Sequence, residues 1–187
     1  MLEIRWHSRA GQGAVTGAKG LGSVVAKTGK QVQAFAFYGS AKRGASMTAY
    51  NRIDDKTILN HQKLMSPDYV FILDPSLAYT DDFTANEKTS TKYIITTHLS
   101  KEELLEKIPK IQDKKDRVFT LDCLKISKET IGRAIPNTPM LGALMKIDGM
   151  FELEYFKDAM KTVLKKLPPK IIEANMLAIQ RAFDEVK

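Results

Sequence analysis

The chain has almost no cysteine: its 187 residues contain one, Cys123. This excludes an internal disulfide framework. It also excludes an iron–sulphur cluster held by this chain alone, because such a cluster usually takes four thiolates. No apolar run reaches the roughly 18 residues of a membrane-spanning helix, and the first residues have the pattern of a strand rather than of a signal peptide. We therefore expect a reduced, cytoplasmic protein with no membrane partner.

Aromatic residues are also few, at 8% of the chain, and they do not interleave with the basic residues as in many nucleic-acid-binding surfaces. We therefore expect no nucleic-acid partner, although the formal net charge is +7. That charge leaves three interpretations open: a solvated basic surface, an acidic partner protein, or a phosphorylated ligand. The chain has no linker long enough to divide it, so we expect residues 1–187 to form a single domain.

No standard nucleotide-binding loop is present, although the chain begins with a strand pattern, a small-residue turn and a helix pattern. The stretch Ile4–Gly13 ends in Gly11-Gln12-Gly13. The next glycine, Gly17, lies one position too far for a dinucleotide fingerprint, and no Walker lysine follows. Backbone N–H groups in such a turn, at the start of a helix, suit an anion. Anion binding and tight packing are therefore both open for this loop.

Five further segments have the composition of strands. They are predicted over 31–38, 46–53, 69–73, 92–97 and 117–121. The run Tyr69–Leu73 is continuous and apolar, which is typical of a parallel strand covered on both faces. We expect a three-layer α/β/α fold with a largely parallel sheet, and a mixed sheet is the alternative.

Helical patterns separate these strands and fill the last third of the chain. One helix is predicted from Ala14, with Gly29 at the position of its C-cap, and others over 100–108, 122–135, 140–147, 151–164 and 169–185. Ser100 and Glu103 have the spacing of a capping box. The stretch Pro136–Pro139 is predicted to break the helical pattern. We expect the C-terminal helices to pack on the sheet or on partner subunits.

No catalytic set and no metal-ligand spacing is recognisable. His7 and His98 each end a predicted strand, where a side chain can face a ligand at the sheet edge, but a structural role is favoured for both. Cys123 stands at a predicted helix start, which can lower the pKa of a thiol, although a small core residue is the favoured interpretation. We therefore name no catalytic residue and no metal ligand.

Two adjacent cations, Lys42 and Arg43, lie between Gly39 and Gly44 in a loop after the second predicted strand. In a parallel sheet that loop comes near the loop after the first strand. Two cations beside a ring of N–H groups bind phosphate well. The alternative is an exposed basic loop.

Three motifs in order, at fitting separations, together resemble the gamma subunit of pyruvate:ferredoxin or flavodoxin oxidoreductase and of related 2-oxoacid oxidoreductases. They are Ser8–Gly13, Tyr38–Ala45 and Ile135–Ala143. The likeness covers nearly the whole chain. Each motif is modest alone, but the ordered set is specific to this superfamily.

The chain departs from the family pattern at several positions. Ser8 and Ala10 stand where the family usually has glycine, Ala41 where it has glutamate, and Ala45 where it has glycine. A positive φ at Ala10 would be strained. The first loop is therefore expected to differ locally if that conformation is required.

The resemblance implies a subunit rather than a self-sufficient enzyme. In this family the alpha and beta partners bind thiamine diphosphate, and beta or a small ferredoxin-like delta subunit carries iron–sulphur clusters. The assembly cleaves a 2-oxoacid, passes electrons to ferredoxin or flavodoxin, and transfers the acyl group to coenzyme A (CoA). This chain is accordingly expected to hold no cofactor alone, to be inactive alone, and to work with alpha, beta and delta partners.

The resemblance and the loop chemistry together predict a CoA-facing role. The residues expected to contact a phosphate of CoA are Arg9, Gly11, Gln12, Gly13, Lys42 and Arg43. The pyruvate enzyme is the first choice, and the 2-oxoglutarate, 2-oxoisovalerate and indolepyruvate enzymes are alternatives. An alternative of another class is a freestanding anion- or nucleotide-binding module. The identity of the 2-oxoacid and of the electron acceptor is not encoded in this chain.

Overall fold

The strands of the sheet match the segments predicted from sequence. A computed structural model describes residues 1–38, 44–60, 62 and 66–187, so that Lys42, Arg43 and His61 lie outside the described residues. Within this part the strands are β1 (Leu2–Arg9), β2 (Gln31–Tyr38), β3 (Ser46–Asp54), β4 (Tyr69–Ile72), β5 (Lys92–Thr96) and β6 (Val118–Leu121). The predicted ends of β2 to β6 differ from these by at most one residue.

The sheet is mixed, with six strands in the order β2-β3-β1-β4-β5-β6. Strands β1, β4, β5 and β6 are mutually parallel, and β3 runs antiparallel between β1 and β2. The sheet is therefore largely parallel, as expected, with one reversed strand. Because β3 lies between β1 and β2, the last residues of β1 and β2 lie at the same edge of the sheet but are not immediate neighbours.

Helices lie between and after the strands. They are α1 (Ala14–Ala26), α2 (Leu77–Thr80), α3 (Lys101–Lys107), α4 (Cys123–Ile131), α5 (Asn137–Asp148), α6 (Leu153–Val163) and α7 (Pro169–Glu185). The capping box at the start of α3 is confirmed: the Ser100 hydroxyl accepts from the Glu103 N–H, and the Glu103 carboxylate accepts from the Ser100 N–H. The sequence patterns did not predict α2 or the 3₁₀ segment Pro109–Arg117.

The predicted boundary between α4 and α5 is wrong. We expected a helix to about Ile135 and a break over 136–139, but α4 ends at Gly132, whose φ of 80° closes the helix in the left-handed region. Helix α5 then begins at Asn137, so Pro139 stands within its first turn. Proline is tolerated there because the first N–H groups of a helix have no intrahelical acceptor.

Helices cover both faces of the sheet, which gives the three layers. Alternation along β4 shows the division: Phe71 faces one core and Ile72 the other. The larger core lies between the sheet face that carries Phe71 and the helices α1 and α4 to α7. The smaller core lies between the opposite face and α2, α3 and the 3₁₀ segment. No helix in the described ranges is long and apolar enough to cross a membrane.

The C-terminal helices extend the larger core outward. The closest approach is between α5 and α7, where a Cβ added to Gly142 would lie 2.2 Å from the backbone oxygen of Ile179. Position 142, in the third family motif, therefore accepts only glycine, because any side chain there would push α7 away from α5. The inner face of α7 buries Met176, Ile179 and Ala182 within the chain itself.

Candidate functional site

The candidate site lies where β1 and β4 end side by side. After β1 the chain crosses to the face covered by α1, whereas after β4 it turns to the face covered by α2. Loops that leave neighbouring parallel strands in opposite directions open a crevice, and ligands of α/β proteins usually bind at such a switch point. The side chains at this edge include Arg9, the last residue of β1, and Asp74, two residues after the end of β4.

The loop between β1 and α1 takes its shape from two glycines. Gly11 and Gly13 have φ values of 97° and 84°, in the left-handed region that side chains with a Cβ rarely adopt. Ala10 does not share this conformation, since Asn86 is the only described residue other than glycine with positive φ. The strain considered for Ala10 is therefore absent, and the alanine is compatible with this loop.

Helix α1 begins without a side-chain cap. Its N-cap is Gly13, which has no side chain to accept a hydrogen bond from the first turn. The first intrahelical bond is donated by the Gly17 N–H to the Gly13 oxygen at 2.8 Å. The N–H groups of Ala14, Val15 and Thr16 thus precede the helical ladder, and together with the helix dipole they favour an anion.

Arg9 connects the two sides of the crevice through its guanidinium group. Its guanidinium donates to the backbone oxygen of Gly44 at 2.7 Å and to the Ser76 hydroxyl at 2.9 Å. Its Nε lies 3.4 Å from the carboxylate of Asp74. The side chain is 35% exposed. Arg9 therefore joins the loops after β1 and β4 to the segment before β3, and its charge is balanced by Asp74.

Asp74 is the hub of the same network. Its carboxylate accepts from the Gln12 side-chain amide at 2.7 Å and from the Ser76 N–H at 2.9 Å. Partial burial raises the pKa of Asp74, but hydrogen bonds from Ser76 and Gln12 and the charge of Arg9 outweigh it, so the pKa is lowered overall. The other end of the Gln12 amide accepts from the Arg9 N–H at 2.9 Å. Gln12 is thereby held in one orientation.

The third motif packs behind the loop. A Cβ on Gly13 would lie 2.7 Å from the side-chain nitrogen of Asn137, and a Cβ on Gly17 would lie 3.0 Å from the Trp6 ring. Trp6 is itself fixed, because its indole N–H donates to Asn51 at 2.9 Å. Tight packing, one of the two interpretations left open by the sequence, therefore accounts for Gly13 and Gly17.

The sequence analysis missed three members of this network, namely Asp74, Ser76 and Asn137. Asp74-Pro75 was interpreted only as the end of a strand. Its position directly after a buried parallel strand was the signal that could have marked it as a site residue. Asn137 was placed in a helix break, although it begins α5.

The other sequence candidates lie beside the crevice or away from it. The imidazole Nδ1 of His7 lies 2.9 Å from the Asp81 carboxylate, which gives this histidine a local partner. His98 lines a cavity of about 640 Å³ at the ends of β5 and β6, together with Asp122 and Lys125.

Burial raises the pKa of the Cys123 thiol, so it is not an activated nucleophile. The described part of the chain contains no group of three potential metal ligands.

Comparison with known proteins gives a consistent set of relatives. A family model described as pyruvate ferredoxin/flavodoxin oxidoreductase matches residues 3–185. The common subunit gamma of pyruvate/ketoisovalerate oxidoreductases from Thermococcus kodakarensis is 43% identical over 99% of this chain and 97% of its own length. Pyruvate synthase subunit PorC of Thermotoga maritima is 37% identical over 100% of this chain and 95% of its own.

A solved structure agrees with the sequence relatives. The crystal structure of the pyruvate oxidoreductase subunit PORC from Thermotoga maritima superimposes with a TM-score of 0.82 and 33% identity. The match covers 100% of this chain and 97% of that one. The mixed sheet and its covering helices are therefore shared with a solved homologue over the full length.

Proposed function

Because this chain belongs to the pyruvate ferredoxin/flavodoxin oxidoreductase family, we propose that it acts as the gamma subunit of a multi-subunit 2-oxoacid:acceptor oxidoreductase. The pyruvate enzyme is the first choice. The observation that carries the proposal is the full-length similarity to proteins named as gamma or PorC subunits. Residues 1–187 form the single gamma-type domain in this proposal, with thiamine diphosphate and iron–sulphur clusters on alpha, beta and delta partners.

A second 2-oxoacid is part of the proposal. The relative that is 43% identical is named as a subunit common to pyruvate and ketoisovalerate enzymes. One gamma chain serving two enzymes fits a division of labour in which other chains select the 2-oxoacid. We therefore assign substrate choice, and the choice of ferredoxin or flavodoxin as acceptor, to the partners.

Within that assembly we propose that the crevice between β1 and β4 faces a phosphate of CoA. The uncapped N-terminus of α1 supplies backbone donors and a favourable dipole. The loop that faces the phosphate in this proposal consists of Gly11, Gln12 and Gly13. Arg9 holds this loop in place, and the charge of Arg9 is neutralised by Asp74. In this proposal the excess positive charge is supplied by Lys42 and Arg43, which follow β2 in the sequence and lie outside the described residues.

Reconstitution tests the subunit role. The partner subunits are purified with and without this chain, and CoA-dependent pyruvate oxidation is followed by reduction of a low-potential dye. We expect full activity only when the chain is present, and a colourless, inactive protein when the chain is purified alone. Activity of the isolated chain, or a complete complex that forms and works without it, would contradict the proposal.

The CoA-facing role is tested in the whole complex with Lys42→Ala and Arg43→Ala combined. A charge-assisted hydrogen bond contributes about 1.5–3 kcal/mol, so losing one raises the KM for CoA roughly 10- to 100-fold while the KM for pyruvate stays unchanged. The control combines Lys27→Ala with Lys30→Ala, which removes the same charge at the opposite end of α1. An unchanged KM for CoA in an intact complex refutes this role.

A further inference from the structure

An open groove on the outer side of α1 begins beside the crevice described above, and Thr16, Gly17 and Asn137 are common to the surroundings of both. It has a volume of about 660 Å³ and runs along α1 from Thr16 to Ser23. Its opposite wall is the connection between α6 and α7, and its end is closed by the segment between α4 and α5. Apolar side chains make up most of the lining, including Leu141, Met160, Leu164, Leu167 and Ile171.

The charged side chains that line the groove are all basic. Lys19 and Arg133 are the charged residues that line it, and both are exposed. The wall segment 159–172 adds four lysines and contains no aspartate or glutamate, and Asp158 and Glu173 flank it directly. One of them, Lys161, pairs with Asp158 at 3.2 Å. Within the described ranges, neither Lys19 nor Arg133 takes part in an ion pair.

The polar groups in the floor of the groove satisfy one another. The Thr138 hydroxyl donates to the Asn175 side-chain oxygen at 2.9 Å. The Asn175 amide donates to the Ile171 backbone oxygen at 2.7 Å. Because these polar groups already have partners within the chain, apolar side chains inserted from outside would leave no donor or acceptor of this pair unsatisfied. This favours a macromolecular occupant with an apolar face.

We propose that this groove docks an amphipathic helix with acidic flanks, supplied by a partner chain of the oxidoreductase complex. The inference rests on the proposed function, since it needs an assembly in which the chain has partners. A groove about two helical turns long, with apolar walls, matches the apolar stripe of a helix. The cations at its rim match acidic residues beside that stripe, and both walls are already formed in the isolated chain.

Carbodiimide cross-linking tests the proposal directly, because it joins a lysine amine to a carboxylate that it contacts. The assembled complex is treated and digested, and the cross-linked peptides are identified by mass spectrometry. We expect Lys19, Lys165, Lys166 or Lys170 joined to acidic residues of one partner subunit, in a segment of helical periodicity. We also expect amine labelling of these lysines to fall at least fivefold between the isolated chain and the complex.

Charge reversal gives an independent readout. Lys19→Glu combined with Arg133→Glu changes two exposed residues, and we expect at least tenfold weaker association with the partner subunits, with a loss that shrinks at high salt. Leu167→Ser, at a side chain that is 40% exposed, is expected to weaken association without that salt dependence. The matched control combines Lys107→Glu with Lys115→Glu on the opposite side of the sheet and is expected to leave association unchanged.

The possible failures are distinguishable. If the wild-type chain does not assemble with the thiamine- and cluster-bearing subunits, the proposed function falls and this inference falls with it. If the complex assembles but the groove lysines stay as reactive as in the free chain, the inference alone is overturned. Cross-links from these lysines to a second copy of this chain, or equal association of the charge-reversed variant and its control, also overturn the inference.

Discussion

Because α5 and α7 are in close contact at Gly142, we expect a single methyl group added there to lower the free energy of unfolding considerably. In Gly142→Ala the new Cβ would lie 2.2 Å from the Ile179 oxygen, whereas ordinary contacts begin at 3.4 Å. The obstacle is helix backbone, so the two helices must separate by about 1 Å. Overpacking costs typically 1–3 kcal/mol, and we take the upper end, about 3 kcal/mol, because no side chain can rotate away.

The higher helix propensity of alanine offsets part of this loss of stability. Replacing glycine by alanine within a helix stabilises it by about 1 kcal/mol. The net loss is therefore about 2 kcal/mol, which for a chain of this length lowers Tm by about 4–8 °C. Urea unfolding followed by the fluorescence of Trp6, a buried side chain and the only tryptophan of the sequence, measures this loss.

Gly20→Ala is the matched control for this prediction. Gly20 is also a buried helical glycine, but its added Cβ would meet the flexible end of Met160 at 3.5 Å, an ordinary contact. We expect this variant to be as stable as the wild type, or more stable by up to about 1 kcal/mol. If Gly142→Ala behaves like Gly20→Ala, the close approach of α5 and α7 is not a stabilising contact and the reasoning is refuted.

Two further predictions concern the crevice and α3. The folded state lowers the pKa of Asp74, so its contribution to stability is full above the unfolded pKa of about 3.9 and is lost as pH falls through the lower folded value. Asp74→Asn should therefore be less stable near pH 7 and lose less stability between pH 5 and 2, as measured by urea unfolding across that range. An unchanged acid limb would contradict this. Ser100→Ala should lower Tm by about 2–4 °C because the capping box is lost, whereas Ser100→Gly should lower it by less than half as much; equal Tm values for all three proteins would refute the capping role.

Sequence patterns predicted the strands well because their signals are local. Tyr69–Ile72 is a continuous apolar run, and the sequence Gln31–Tyr38 alternates and is rich in aromatic residues, although residues 32–36 are all half-buried in the fold. The order in which these strands pair could not be predicted from local sequence patterns. That β3 inserts between β1 and β2 depends on tertiary contacts, so the sequence left a largely parallel and a mixed sheet both open.

The site was predicted in part for the same reason. Gly11 and Gly13 were identified because glycine has a local conformational meaning. The partners of Arg9 lie 35 to 67 residues away along the chain, at Gly44, Asp74 and Ser76. Nothing in the local pattern around Asp74 indicates that an arginine from β1 will meet it. Local chemistry therefore predicted which loop forms the site, and tertiary structure was needed to define what holds that loop.

The three family motifs meet in one arrangement, which explains why they occur together. The first motif forms the loop before α1. The second reaches it through the Gly44 oxygen, which accepts from Arg9 at 2.7 Å. The third supports it from behind, because Asn137 fills the space that a side chain at Gly13 would need. Asn137 thus shapes the loop from its buried side. The three motifs therefore act as one structural unit that fixes the backbone of this loop.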